Sequence, residues 1–137
     1  MIIRIMMLLI LLFSVDKLYA GDEVFEMFKD FIQFSSSVDA YSQMCVKGFN
    51  SEKAESDIFN LVALLNQSSI ITQTDFNELK DKYYRISQST LTQLRQLGLH
   101  RNKNLCKKYL KIFERFDVKK NKTLSEIIEV IDENATR

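Results

Sequence analysis

Cys45 and Cys106 are the only two side chains in this sequence able to form a covalent bond with each other. Two cysteines allow a single intramolecular pairing, and in an oxidising compartment such a pair forms a bridge. Two separate buried thiols or a bridge between protomers would be the alternatives; the internal disulfide is the expectation. It would close a loop of about sixty residues, which chain-entropy arithmetic values at roughly 4 kcal/mol. Two sulfurs and the lone His100 lack the close-spaced ligand pairs of zinc sites, so no metal is expected. His100 follows Gly98 at a junction and reads as an exposed turn residue rather than a pH sensor. Without a second histidine it gives no base for a nucleophile, and the run from Ser87 to Thr92 has no activating neighbour. A glycine-rich phosphate loop is missing as well. Neither catalysis nor a cofactor is expected.

The most regular charged pattern is a row of cations. Lys103, Lys107, Lys111, Arg115 and Lys119 recur every four residues, with Lys108 beside them. A spacing of four advances only about 40° around a helix, so the row winds slowly, centred about 150° from the apolar side of the same segment. Only Glu114 and Asp117 oppose it, whereas the stretch from Asp22 to Asp57 is rich in acid. The row reads as an ordinary solvated face, as a complement to the acidic half of its own chain, or as a dock for an acidic partner or anionic surface. A formal charge of +1 for the whole chain argues against general nucleic-acid binding.

The third pattern is aromatic: Phe25, Phe28, Phe31 and Phe34 stand at every third position. Each step turns back by about 60°, so the four rings fan across roughly 180° of a helix. An ordinary surface helix shows an apolar stripe nearer 100°. So wide a face needs two or more neighbours, which makes this helix central and most of its rings core, with one ring left over. The competing use of Phe25, Phe28 and Phe31 is as the lining of a cavity for a small apolar ligand.

Helices must position all of these residues. There are three glycines, no proline and no Asn-Gly or Asp-Gly hairpin signal, while helical periodicity is present throughout. Residues 1–20 read as an address. A positive start ends at Arg4, about eleven apolar residues follow, and Leu18-Tyr19-Ala20 precedes Gly21. The apolar run is too short for the roughly twenty residues a membrane-crossing helix needs. Cleavage after Ala20 would leave one domain, residues 21–137, with a formal charge of zero and enough chain for a single core.

Five helices are expected in that domain. The first covers residues 22–47 and stops at Gly48; Ser35-Ser36-Ser37 is its candidate break, since Ser36 and Asp39 have capping-box spacing. The second covers residues 51–66. The third opens at Thr72 or Thr74, where Thr72 and Asp75 have capping-box spacing, and runs to Gly98. The fourth covers residues 102–118, with Leu105, Tyr109, Ile112, Phe113 and Phe116 on its inner side, and a short fifth opens at Thr123 with Glu126 as cap partner. Short connections make neighbours antiparallel. Both cysteines then face inward, tying the end of the first helix to the start of the fourth. Asn66, Asn121 and Asn134 match the N-glycosylation acceptor pattern, which marks surface only in a eukaryotic secretory route.

The expected molecule is therefore an all-α bundle with one disulfide, exported to the periplasm or the extracellular space and not integral to a membrane after cleavage. Its expected role is a non-catalytic binding module with an unidentified protein partner, docking through Lys103, Lys107, Lys111, Arg115 and Lys119. A carrier of a small apolar ligand is the second reading. An enzyme whose site is assembled only in space is the third.

Overall fold

The computed structural model describes the backbone over residues 2–135 and the side chains over residues 22–133. Four helices make up the described chain: α1 (Ile2–Cys45), α2 (Ser51–Gln67), α3 (Gln73–Gln96) and α4 (Asn104–Ala135). Among the described residues no helix is long and apolar enough to cross a membrane. The leader reading of residues 1–20 concerns side chains outside the described set.

The wide aromatic face makes α1 the centre. Helix α4 packs along it, α3 packs along it as well, and α2 leans mainly on α3. Val24, Phe28, Phe31 and Ile32 are consequently all buried, although they point in different directions around α1. Local chemistry sets the ends of the α2–α3 hairpin. The Asn50 side chain accepts the Lys53 N–H at 3.1 Å at the start of α2. Thr72 and Asp75 form the reciprocal capping box of α3, each bond 3.1 Å long. Gly48 (φ +79°) and Gly98 (φ +88°) reverse the chain after α1 and α3, in a region where a Cβ would be strained.

Two details differ from the sequence expectation. The fifth helix is a continuation of α4: Thr123 and Glu126 lie inside it. Nothing between Val118 and Thr123 breaks a helix, Lys120 is paired to Asp117 at 2.9 Å across that stretch, and Leu124 and Ile131 extend the apolar stripe into the same core. Capping-box spacing signals a start only where the preceding residues leave helical geometry. The serine run does not break α1 either. The Ser36 hydroxyl donates to the Ile32 carbonyl at 2.6 Å and that of Ser37 to the Gln33 carbonyl at 2.9 Å, so the hydroxyls are satisfied by their own helix. Ser35 and Ser36 are themselves buried. The Ser35 hydroxyl finds no hydrogen-bond partner among the described residues.

Two apolar clusters result. The larger gathers Phe28, Ile32, Val62, Leu79, Tyr83 and Ile127, among others, from all four helices. The smaller holds Tyr41, Leu94, Leu99, Cys106 and Phe113 near the opposite end of α4.

Candidate functional site

The smaller cluster fixes the start of α4. Cys45 and Cys106 are joined, with their Cα atoms 5.8 Å apart. The Tyr41 hydroxyl donates to the Cys106 carbonyl at 2.7 Å, and its ring stacks on Phe113 at a centroid distance of 4.3 Å. Burial pushes the Tyr41 phenol above its ordinary value, with the Glu114 carboxylate adding to it. Lys103 extends its ammonium to the Met44 carbonyl at 2.5 Å, placing a cation at the negative end of α1. Of the basic row, Lys103 is therefore engaged in holding the fold.

The remainder of the row faces outward. Lys107, Lys111, Arg115 and Lys119 are exposed, and none forms an ion pair among the described residues. Lys119 leans over the Phe34 ring at 5.7 Å and Lys108 over the Tyr109 ring at 5.6 Å, which steadies two of the stems without neutralising their charges. Between Lys103 and Lys122 there are eight basic residues and two acidic ones, in a chain of net charge +1, so the remainder is acidic overall. Lys111, Glu114, Arg115, Val118 and Lys119 border an open, shallow depression of about 440 Å³. Val118, the one apolar residue of that border, is 67% exposed. Ile112, expected on the inner side, is 44% exposed; it lies about 100° from the buried Phe113, and among the described residues α1 is the only helix that packs closely on α4.

The aromatic candidates sit elsewhere. Phe28 and Phe31 are buried in the larger cluster and meet edge to face at 5.5 Å. Phe25 is half-buried beneath the Lys29 ammonium, 4.5 Å from its ring centre. The pairing of Lys29 with Glu26 at 3.1 Å raises the pKa of that lysine. Phe34 rests against Phe116. No phenylalanine lines either the depression on α4 or the cleft where α1, α2 and α3 meet. His100 is exposed in the turn after Gly98. Asn66 donates its side-chain amide to Gln73 at 2.8 Å, Asn121 is exposed on α4, and the Asn134 side chain lies outside the described residues.

A second polar cluster was not singled out by sequence reasoning. Where α1, α2 and α3 meet, the Tyr83 hydroxyl donates to Asp39 Oδ2 at 2.7 Å, and the Tyr84 hydroxyl donates to Glu55 Oε1. Adjacent residues of α3 thus reach two different helices. Burial raises the Asp39 carboxyl above its usual range, against the opposing effects of the Tyr83 hydrogen bond and the Lys120 charge. Burial, then the Asp39 hydrogen bond, pushes the Tyr83 phenol far above the ordinary tyrosine range. The hydrogen bond to Glu55 raises Tyr84. The sequence signal was an acid at an inward-leaning position of α1, but the spacing from Ser36 gave Asp39 a capping role instead.

No protein-family model, curated protein or solved structure matches this chain.

Proposed function

We propose that the protein is an exported, non-catalytic binding module that docks an acidic protein partner on the outer face of α4. The observation that best supports this is the exposed set Lys107, Lys111, Arg115 and Lys119, which has no counter-ion among the described residues of an otherwise acidic chain. Unpaired charge on a rigid helix steers encounter and sets orientation at low desolvation cost. Val118 and Ile112 add exposed apolar surface beside it. Export rests on the address-like residues 1–20, and the disulfide is compatible with an oxidising compartment.

The experiment is chemical crosslinking of the tagged protein in its own cells, followed by capture of what it is joined to. The wild type is compared with a Lys107→Glu, Lys111→Glu, Arg115→Glu triple variant whose fold is checked by circular dichroism. The expected result is a discrete partner that is lost in the triple variant and recovered less well from wild type as salt is raised. Equal recovery from both proteins would discard this surface.

A further inference from the structure

The cleft where α1, α2 and α3 meet has a chemistry opposite to that of α4. It encloses about 120 Å³ and draws lining from all three helices, with Asp39, Gln43, Glu55, Ser87 and Gln88 as its main polar groups. Neither lysine, arginine nor histidine lines it. The two phenol protons are already committed: Tyr83 gives its own to Asp39 and Tyr84 gives its own to Glu55. Each carboxylate keeps further acceptor positions, because a carboxylate offers about four. The side chains of Gln43, Ser87 and Gln88 make no hydrogen bond among the described residues. The nearest cation acting on Asp39 is Lys120, and its ammonium is bound to Asp117 at 2.9 Å. The cleft therefore carries two carboxylates and no internal cation; the free amide and hydroxyl groups of Gln43, Ser87 and Gln88 can donate hydrogen bonds but leave the charge uncompensated.

We propose that this cleft binds a small organic cation, a protonated primary amine held between the carboxylates of Asp39 and Glu55. An ammonium brings the opposite charge and three donors, for which the two carboxylates keep free acceptor positions. Among the described residues no group of three or more metal-ligating side chains is present, and two carboxylates underfill the six to eight oxygen ligands calcium takes. The volume corresponds to roughly four waters, which suits an amine on a short alkyl chain. The buried Leu91 and the two tyrosine rings supply an apolar wall for that chain. Each tyrosine also fixes its carboxylate in place, so little side-chain freedom is lost on binding.

The test is an NMR amide-shift titration of the disulfide-bonded protein at constant ionic strength. Butylamine is the probe, and butyrate, of equal length and opposite charge, is the control. Saturable shifts are expected at Gln43, Glu55, Tyr84 and Gln88 with butylamine only. Asp39→Asn and Glu55→Gln, which keep an acceptor oxygen for each tyrosine, are each expected to weaken binding roughly tenfold, the equivalent of one charge-assisted hydrogen bond. Shifts that stay linear, spread over the acidic surface, or appear equally with butyrate would overturn the site, as would unchanged affinity in both variants. The wild-type mapping decides by itself if a variant folds poorly.

Discussion

Around Phe28, Ile32 and Leu79 the bundle is closed by side chains from all four helices, so that end is held by burial. Around Cys106 only five buried residues gather, and a covalent bond, the Tyr41–Cys106 hydrogen bond and the Lys103–Met44 bond supplement them. The difference is one of available neighbours. Helix α2 reaches the first end and not the second, so the second has less apolar surface to remove from water. A cross-link then contributes where packing cannot, and it does so at the root of the helix that carries the exposed cations.

The largest expected effect breaks the staple. Replacing both cysteines with serine is expected to cost about 4 kcal/mol in denaturant unfolding. Hydrogen-exchange protection should fall furthest near Tyr41, Leu99 and Phe113 and least near Phe28 and Leu79. Equal loss at both ends would erase the distinction between them.

Leu79 and Leu99 are both fully shielded from solvent, one in each cluster, and alanine at either is expected to cost about 3 kcal/mol in the oxidised protein. After the staple is removed, Leu99→Ala should cost much less while Leu79→Ala keeps its cost, a non-additivity that a double-mutant cycle reads directly. A smaller change is expected from Tyr41→Phe, about 1 kcal/mol, because the Cys106 carbonyl loses its donor while the stacking on Phe113 remains.

The pH dependence at the junction of α1 and α3 has a definite sign. Burial holds the Asp39 carboxyl above its usual range in the folded protein, so the native state binds that proton more tightly than the unfolded chain. The stability this contributes is full below the unfolded value and is lost as pH rises through the raised folded value. Asp39→Asn, which keeps an acceptor for Tyr83, is expected to flatten that slope in urea midpoints measured across the acid range. An unchanged slope would assign the titration to another group. The smallest stability effect, within about 0.5 kcal/mol, is expected for Lys111→Glu with Arg115→Glu, since neither side chain has a partner among the described residues.

Much of the architecture was legible because it depends on local pattern. The α3 capping box, the glycine reversals and the cysteine pairing all follow from residue type and spacing. The width of the phenylalanine fan foretold a central α1. The continuity of α4 was hidden because Thr123 and Glu126 carry a start signal whose use depends on what precedes them. The exposure of Ile112 was hidden because periodicity tells which residues share a side and not how much of that side a single neighbour covers. The basic row could be read directly, apart from Lys103, whose role at the end of α1 depends on a contact across 59 residues of sequence. The Asp39–Tyr83 and Glu55–Tyr84 pairs join separate helices, and no spacing rule announces such a meeting.

Lysine footprinting on cells that make the protein tests the docking face most directly. The reactivity of Lys107, Lys111 and Lys119 toward an amine-labelling reagent is compared in the cellular and the purified protein, with the exposed Lys53 on α2 as internal reference. A docking face on α4 predicts protection of those three lysines in the cellular sample with Lys53 unchanged. Equal labelling of all four in both samples would contradict it.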